Sequence, residues 1–357
     1  MNHLFMSAFN PVSSAKLIRV LIVDDSAFVR KVVKEMLTRS PFIEVVGIAR
    51  DGEEALGKAS ELKPDVITCD IVMPKMDGVE FVRQQMARQP IPILILSASP
   101  ADGELVLQAM EAGAVDFVQK PSSLASDDLL GVREELIEKV KGAATAPIKN
   151  LHVDAAPSPL PKAVSRAPRA DVVLIGISTG GPQALRFLLP QFPKDFPVPI
   201  LVVLHMPVGY TEMFAAKLDE LSQIEVVEAA EGQVLRPGLA ILGQAGFHLK
   251  LARGADGLVR TSLATQPRDK PHRPSVDVLF QSAAELFDSR TLAIVMTGMG
   301  NDGTEGAAWI KAKGGKVLTE AEESCVIYGM PRSVDEAGLS DGHAPLHDMA
   351  RTILKNL

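Results

Sequence analysis

The sequence predicts an α/β protein with two domains. Both halves of the 357-residue chain alternate short apolar runs with amphipathic helical patterns, which is typical of strands that alternate with helices. Residues 144–170, between the halves, are rich in proline and alanine and show neither period, so we expect a linker there. The expected domains are residues 18–143 and 171–357, and residues 1–17 form an extension before the first strand.

The composition argues against several classes of function. The net charge is −7, so nothing favours binding to nucleic acid or to an anionic membrane surface. The sequence has no run of about 18 apolar residues, which argues against membrane insertion. The N-terminus lacks a basic segment followed by a long apolar run, so we expect no signal peptide. A cytoplasmic protein with Cys69 and Cys325 as reduced thiols is the simplest expectation.

The elements of the first domain follow one another as βα units. Short apolar runs predict strands at 19–24, 44–49, 65–70, 92–97 and 116–119. Amphipathic patterns predict helices between them, such as 27–39 and 77–89, and a last helix near 128–142. Five such units are the size of a flavodoxin-like (βα)5 domain.

Polar residues stand at the ends of these strands. Asp24 and Asp25 end the first strand, Asp70 the third, Ser97 the fourth and Lys120 the fifth. The carboxyl ends of parallel strands share one edge, where Mg²⁺ would relieve the repulsion between three carboxylates. A carboxylate there could attack a phosphoryl donor and form an acyl phosphate, whose oxygens Lys120 and Ser97 would hold. The alternative is that each aspartate is only a strand-end or helix-cap residue.

The first half resembles a response-regulator receiver over about residues 18–142. The matching motifs are V-D-D-S, D-I-V-M-P-K-M-D-G, L-S-A-S and the Lys120–Pro121 pair. The resemblance implies that Asp70 is the phosphoacceptor. It also implies a magnesium ion bound by Asp25, Asp70 and the carbonyl of Val72 with Asp24 in support, and a cis Lys120–Pro121 bond.

The second domain begins with an apolar strand, Asp171–Ser178. Pro199–His205 and Thr291–Gly298 are further continuous apolar runs, which suit strands buried on both faces of a parallel sheet. A doubly wound α/β domain is therefore expected. Residues 224–275 are richer in glycine and proline and give no clear assignment.

Ser178 lies in Gly176-Ile177-Ser178-Thr179-Gly180, between a buried strand and a helix. The G-x-S-x-G spacing fits a nucleophile elbow, and the helix N-terminus offers free N–H groups to an oxyanion. The same residues also fit a phosphate-binding turn or a plain tight turn with a capping serine.

His205 and Asp302 are the candidate partners of this serine. Of the seven histidines, only His205 ends a buried strand, whereas the others fall in the extension, the linker, the irregular region or beside the last helix. Asp302 follows the strand at 291–298 and opens the next helix, so it could orient His205 or simply cap that helix.

A dinucleotide-binding interpretation competes with the triad. Gly298, Gly300 and Gly303 spell G-x-G-x-x-G between strand and helix, and Glu320 follows at the end of the next strand. Spacing alone does not separate a receiver-gated nucleotide-binding enzyme from a serine hydrolase. An interaction module without chemistry is a third possibility.

The whole chain resembles the chemotaxis protein-glutamate methylesterases, in which a linker joins a receiver to a serine esterase domain, here matched over about residues 171–335. The matching segments are I-G-I-S-T-G-G-P, V-V-L-H-M-P, H-R-P-S-V-D-V-L-F, M-T-G-M-G-N-D-G-T-E-G and Y-G-M-P-R. The resemblance implies Ser178 as nucleophile, His205 as base and Asp302 as orienting acid, with Thr179 and the Met299 amide at the oxyanion site. The departures are Ile177 where alanine is usual and Gln244 in a segment that usually reads A-P-G.

The resemblance also implies the substrate and the partners. The substrate would be γ-methyl glutamate esters on the cytoplasmic domains of chemoreceptors, and glutamine amides there would be deamidated by the same chemistry. A chemotaxis histidine kinase would be the phosphodonor, and phosphorylation at Asp70 would open an esterase cleft that the receiver covers. Mg²⁺ in the receiver is the expected metal, and no cofactor is expected in the esterase domain.

Overall fold

The computed structural model describes residues 16–120, 128–147, 160 and 168–357. The predicted cis Lys120–Pro121 bond lies outside the described residues, as do most of the predicted N-terminal extension and most of the linker. Among the helices of the described ranges, none combines the length and the apolarity that a bilayer crossing needs.

The first domain is an alternation of strands and helices, as predicted. Its elements are β1 (Ile18–Val23), α1 (Ala27–Leu37), β2 (Ile43–Ala49), α2 (Gly52–Leu62), β3 (Val66–Asp70), α3 (Gly78–Arg88), β4 (Ile93–Ser97), α4 (Gly103–Glu111), β5 (Asp116–Gln119) and α5 (Asp128–Thr145). Within the described residues the strands form a parallel sheet in the order β2-β1-β3-β4-β5. The flavodoxin-like order is therefore confirmed.

Side-chain caps fix where the first three helices begin. Ser26, Asp51 and Asp77 each accept a hydrogen bond from a backbone N–H in the first turn of α1, α2 and α3, which satisfies a donor that the helix itself leaves open. The loops that join each strand to the next helix are short, so the strand ends lie close to the helix starts. The acidic residues at the ends of β1 and β3 are therefore held at the carboxyl edge of the sheet.

The second domain is also α/β. Its elements are β6 (Val172–Ile177), α6 (Gly181–Leu188), β7 (Ile200–Leu204), α7 (Thr211–Leu221), β8 (Glu225–Glu228), β9 (Leu239–Leu242), β10 (His248–Arg253), β11 (Val259–Ala264), α8 (Val276–Phe287), β12 (Thr291–Val295), α9 (Thr304–Ala312), β13 (Lys316–Glu320), α10 (Met330–Glu336), β14 (His343–Ala344) and α11 (Leu346–Asn356). In the described part of the chain the parallel sheet runs β14-β13-β12-β6-β7-β9-β8, and β10 and β11 pair separately as an antiparallel ribbon.

Residues 224–275, which the sequence left unassigned, contain β8 to β11. Two of these strands have only four residues, and turns with glycine at positive φ separate them, so no periodic pattern is long enough to read. The expected doubly wound parallel sheet is confirmed for the rest of the domain.

Alternate residues of β6 enter two separate hydrophobic cores. Val173, Ile175 and Ile177 belong to a core that continues into the first domain, whereas Val172 and Leu174 face a core formed with α8. A strand with side chains alternating between two covered faces must be apolar at every position, which explains the uninterrupted run in the sequence.

The α4–β5 side of the first domain lies against α6 and α7 of the second. Gln183 Nε2 donates to the carbonyls of Met110 and Ala114 at 2.8 and 2.9 Å. Arg186 pairs with Glu111 at 2.5 Å. These contacts place the first domain beside the turn that carries Ser178.

Candidate active site

Three neighbouring strands bring Ser178, His205 and Asp302 to one edge of the sheet. Ser178 follows β6, which lies between β7 and β12, and His205 and Asp302 come after those two neighbours. The His205 amide donates to the Ile177 carbonyl at 3.2 Å, so the two strands stay paired up to the residue before the serine. The predicted convergence at the carboxyl edge is therefore present.

The turn after β6 is sharp. The Gly181 amide donates to the Ser178 carbonyl at 2.6 Å, and Gly180 has φ +80°, a conformation that side chains other than glycine rarely adopt. Gly298 approaches from β12 so closely that an added Cβ would lie 2.8 Å from Ser178 Cβ. Both glycines are thus needed for the position of the serine, independently of any nucleotide-binding role.

His205 and Asp302 are in direct hydrogen-bond contact. His205 Nε2 lies 2.8 Å from Asp302 Oδ2, although 97 residues separate them in the chain. An ionised carboxylate can only accept, so Nε2 carries the proton and Nδ1 keeps its lone pair. Nδ1 is buried and has no hydrogen-bond partner among the described residues. The nitrogen available to act as a base is therefore Nδ1, the reverse of triads whose Nδ1 faces the acid.

The start of α8 holds the Asp302 carboxylate. Oδ1 accepts hydrogen bonds from Ser275 Oγ at 2.8 Å and from the Asp277 amide at 3.0 Å, and Oδ2 accepts from the Val276 amide at 2.8 Å. Burial alone would raise the pKa of Asp302, but the hydrogen bond and charge of His205 and the two backbone amides hold it far below the ordinary value. The surroundings of Asp302 therefore favour its charged carboxylate form.

Two backbone amides near Ser178 are not used in hydrogen bonds of the described structure. Within the described ranges, neither the Thr179 amide nor the Met299 amide has an acceptor. The Thr179 hydroxyl, in contrast, donates to Asp116 Oδ2 of the first domain at 2.5 Å. Among the described residues the hydrogen bonds include none between Ser178 Oγ and His205, a contact that in such sites often tightens only when substrate binds.

Sequence reasoning missed the segment before α8. Ser275 contacts Asp302, and the His272 ring stacks on the His205 ring with centroids 3.9 Å apart. Both residues belong to a segment that matches the methylesterases, but their positions relative to any strand gave no reason to single them out. The H-R-P-S-V-D motif, through its match to the methylesterases, was the one sequence signal that could have identified these two residues.

The structure argues against the dinucleotide interpretation. Glu320 is fully buried, and its two carboxylate oxygens accept from the Thr297 amide at 2.9 Å and from Ser324 Oγ at 2.8 Å. Burial raises the pKa of Glu320 to about 7. A fully buried carboxyl group in this position is not accessible to a ribose hydroxyl, so the G-x-G-x-x-G motif has no acidic residue to bind the ribose.

The acidic cluster predicted in the first domain is also present. One carboxylate oxygen from each of Asp24, Asp25 and Asp70 lies within 4.8 Å of the others. Hard oxygen donors at this spacing fit a divalent cation such as Mg²⁺. Lys120 Nζ contacts Asp24 Oδ2 at 2.7 Å and Asp70 Oδ1 at 2.8 Å, and the Val72 amide donates to Asp70 Oδ1 at 3.4 Å.

The charged groups of this cluster change one another's pKa values. Burial raises the pKa of Asp70, and Lys120 only partly offsets this effect. Burial by itself would lower the pKa of Lys120, but Asp70 and Asp24 raise it overall.

The Ser97 hydroxyl makes its hydrogen bonds away from the acidic cluster. It donates to the Ser99 carbonyl at 3.1 Å and accepts a hydrogen bond from Tyr210 OH at 3.0 Å.

Comparison with known proteins identifies the family. The family model described as CheB methylesterase matches residues 173–353, and the response regulator receiver domain model matches residues 20–130. A Myxococcus xanthus protein, protein-glutamate methylesterase/protein-glutamine glutaminase 5, is 47% identical over 95% of this chain and 98% of its own. The chain belongs to the CheB methylesterase family.

Other members of the methylesterase family agree with this. A Halalkalibacterium halodurans protein-glutamate methylesterase/protein-glutamine glutaminase is 45% identical over 95% of this chain and 98% of its own length. The crystal structure of the Thermotoga maritima CheB methylesterase catalytic domain is 40% identical, with a TM-score of 0.51, and covers 53% of this chain and 99% of that one. The sequence-based assignment to the methylesterase family is thereby confirmed.

Proposed function

We propose that this protein is a phosphorylation-controlled serine esterase. It hydrolyses γ-methyl esters of glutamate on the cytoplasmic domains of chemoreceptors and deamidates glutamines there. The observation that carries this proposal is the His205–Asp302 contact at 2.8 Å on the sheet edge that also carries Ser178. The names of the relatives supply the substrate class, since they combine a methylesterase with a glutaminase.

The residues support acyl transfer through a glutamyl-enzyme. Ser178 Oγ attacks the ester carbonyl while His205 Nδ1 takes its proton, and Asp302 stabilises the imidazolium that forms. The Thr179 and Met299 amides are the candidate donors to the oxyanion of the tetrahedral intermediate. His205 then returns the proton to the methoxide leaving group, and methanol departs.

A water molecule completes the reaction by the same steps. His205 Nδ1 takes a proton from the water, which attacks the glutamyl ester and releases the glutamate side chain and the Ser178 hydroxyl. With a glutamine side chain the leaving group is ammonia instead of methanol, and the product is again glutamate. The two activities therefore need no second set of catalytic groups.

The first domain is proposed as the receiver that controls this site. Asp70 is the candidate phosphoacceptor, and Asp24, Asp25, Asp70 and the Val72 carbonyl would hold Mg²⁺. The metal, when bound, neutralises charge on the phosphoryl group. Lys120 and Ser97 lie at the ends of the neighbouring strands, where they would contact the phosphoryl oxygens. A chemotaxis histidine kinase is the proposed phosphodonor, and the cytoplasm is the proposed location.

Contacts between the domains support inhibition by the unphosphorylated receiver. Ser178 is only 9% exposed, and the Thr179 hydroxyl is bonded to Asp116 of the receiver. Gly142 of α5 fits tightly over the loop that carries Met299, since an added Cβ would lie 3.3 Å from Met299 Sδ. A substrate helix has no room at this edge while the receiver stays docked.

Tyr210 supports a route from phosphorylation to opening. Its hydroxyl oxygen lies 3.0 Å from both Ser97 Oγ and the Ser99 carbonyl, which share its single proton. Its ring packs on Phe117 with centroids 4.9 Å apart. If Ser97 turns towards a phosphoryl group on Asp70, Tyr210 loses a buried partner. The docked state is then weakened because Tyr210 keeps only the Ser99 carbonyl as a partner, and the loss of one buried hydrogen bond costs about 1 kcal/mol.

The test is methanol release from methylated receptor membranes, with and without acetyl phosphate. We expect release by the wild-type protein, stimulation by the phosphodonor, and loss of stimulation in Asp70→Asn. Ser178→Ala should leave only the residual rate of a triad enzyme without its nucleophile, about 10³–10⁴-fold above the reaction in water. A folded Ser178→Ala protein with near-normal release would exclude the triad, and inertness of the wild type to serine-directed phosphonates would favour an interaction module.

A further inference from the structure

One segment contacts both the acid and the base of the proposed triad. Residues 267–275, between β11 and α8, have no role in the reaction steps above. Ser275 Oγ donates to Asp302 Oδ1 at 2.8 Å. The His272 ring lies on the His205 ring with centroids 3.9 Å apart and planes inclined by 18°. The position of each catalytic partner thus depends on this segment.

His248 anchors the segment at two points. The imidazole is fully buried, with Nε2 at 2.9 Å from the Pro267 carbonyl and Nδ1 at 3.3 Å from the Ser275 amide. A neutral ring that carries its proton on Nε2 satisfies both contacts, and burial lowers the pKa of His248, which favours this neutral form. The Gly246 amide adds a bond to the Arg273 carbonyl at 2.9 Å. The segment is therefore fixed to the start of β10.

The Ser275 contact determines how the Asp302 carboxylate is turned. With Oδ1 bonded to Ser275 Oγ and the Asp277 amide, Oδ2 is left to face the Val276 amide and His205 Nε2. Without the hydroxyl, the carboxylate loses one of the bonds that keep Oδ2 on the histidine. If the Asp302 carboxylate is turned away from His205, it stabilises the imidazolium less, and His205 becomes a poorer base.

The His272 contact limits the tilt of His205. A planar ring stacked at 3.9 Å leaves the imidazole little freedom to rotate. Proton transfer requires that Nδ1 be directed at Ser178. Burial first, and then the neighbouring His205, lower the pKa of His272 although part of the residue remains exposed. A neutral ring adds no positive charge beside the imidazolium.

We propose that Ser275 and His272 are positioning residues of the active site. Ser275 directs the Asp302 carboxylate, and His272 holds the plane of the His205 ring. Neither residue touches the reacting atoms, so both act on the rate of chemistry and leave substrate binding nearly unchanged. This inference rests on the proposed serine-esterase function, and its test needs a readout that does not depend on the receptor substrate.

The first experiment compares Ser275→Ala with Ser275→Thr in the full-length protein activated by acetyl phosphate. We expect Ser275→Ala to lower kcat for methanol release about 10- to 100-fold with KM within about twofold, the size of effect that a small misplacement of catalytic groups produces. Ser275→Thr keeps the hydroxyl and should restore kcat to within about threefold of wild type. Ser289→Ala, an exposed serine after α8, is the matched control and should leave kcat unchanged.

The second experiment compares His272→Ala with His272→Phe. A phenyl ring can keep the stacked contact but has no nitrogen, so His272→Phe should retain most of kcat, whereas His272→Ala should lower it about 10-fold. If His272→Phe is as slow as His272→Ala, a nitrogen of His272 takes part in the reaction and the positioning role is wrong.

The rate of Ser178 labelling by a serine-directed phosphonate is the readout that needs no receptor. The fold of each variant is verified by circular dichroism. Slower labelling in Ser275→Ala and His272→Ala supports the inference even if the wild type releases no methanol, in which case only the proposed substrate is wrong. Wild-type labelling rates in both folded variants overturn it, and if the Ser275 variants do not fold, the labelling rates of the His272 pair decide between these two outcomes.

Discussion

At the scale of single residues, the Asp302 carboxylate has the most constrained surroundings of the proposed triad. It accepts from Ser275, Val276 and Asp277 at the start of α8, and it also contacts His205. One carboxylate therefore caps a helix and orients the base. These two tasks have different consequences when the charge is removed, so they can be separated by mutation.

Asp302→Asn should lower kcat by about 10⁴-fold, as removal of the orienting charge does in a well-studied triad. The amide group of asparagine would also face a backbone donor, so we expect the free energy of unfolding to fall by about 1–2 kcal/mol. Methanol release and urea unfolding measure the two effects on the same preparation.

Asp277→Asn is the matched control for Asp302→Asn. Asp277 Oδ1 accepts from the Gly303 and Gly306 amides at the start of α9, so it caps a helix as Asp302 does but does not contact His205. We expect a similar loss of stability with a much smaller loss of kcat. Equal losses of kcat in the two variants would mean that Asp302 acts only through the fold.

At the scale of elements, α8 and α9 begin by capping each other. Asp302 stands before α9 and caps α8, while Asp277 in the first turn of α8 caps α9. Lys270 Nζ lies 3.0 Å from Asp277 Oδ2 and offsets part of the negative charge of the two capping carboxylates. The two helix N-termini thereby fix the acid of the site relative to β12, which precedes it in the chain.

Glu320 at the end of β13 should make stability depend on pH. Because burial raises its pKa to about 7, the folded protein keeps a proton that the unfolded chain has lost above about pH 4.5. The free energy of unfolding should therefore fall as pH rises from about 4.5 to about 7, by at most about 3 kcal/mol. Urea unfolding at several pH values between 4.5 and 8 measures this slope.

Glu320→Gln should flatten that slope. The glutamine oxygen can accept from the Thr297 amide, and its amide group can donate to Ser324 Oγ, so the packing is preserved without a titrating proton. Glu322→Gln changes a nearby exposed residue and should keep the wild-type slope. A Glu320→Gln protein with the wild-type slope would show that another group titrates.

At the scale of the whole molecule, the receiver and the esterase domain share one hydrophobic core. Residues of β5 and α5 and residues of β6 and α6 belong to the same buried cluster. Polar contacts such as Thr179–Asp116 and Tyr210–Ser97 lie at its border, beside the two functional sites. Separation of the domains would break both contacts together, one beside the proposed oxyanion donors and one at Ser97, the proposed switch residue.

Removal of residues 1–150 should raise basal turnover above that of the unphosphorylated full-length protein. Coupling between sites is typically worth about 5- to 150-fold, and we expect a rise in that range with no further response to acetyl phosphate. A catalytic domain of the family crystallises alone, which supports folding of the truncated protein. Equal or lower turnover by a folded truncated domain would reject simple inhibition by the receiver.

Tyr210→Phe tests the same gate in the full-length protein. It keeps the ring on Phe117 but removes the hydroxyl that bonds to Ser97, so basal turnover should rise about 2- to 10-fold, as the loss of one hydrogen bond from the docked state allows. The second tyrosine of the chain, Tyr328, provides the matched control: its hydroxyl bonds to Asp335, away from the receiver, and Tyr328→Phe should leave the gate unchanged.

The sequence by itself determined the local elements and the residues at their ends. Continuous apolar runs predicted β6, β7 and β12 to within a few residues, because strands buried on both faces cannot carry polar side chains. Ser178 could be assigned to a turn, His205 to a strand end and Asp302 to the start of the next helix from the same pattern. The acidic residues of the receiver followed from the ends of β1 and β3 in the same way.

Only the tertiary structure decided which ends meet and what holds them. The order β12-β6-β7 depends on packing between residues far apart in the chain, so spacing alone could not choose between a triad and a dinucleotide site. The burial of Glu320 argues against the dinucleotide site. Ser275, His272 and Tyr210 act through contacts across elements, and no local pattern encodes a contact of that kind, because the chain distance between partners carries no periodicity.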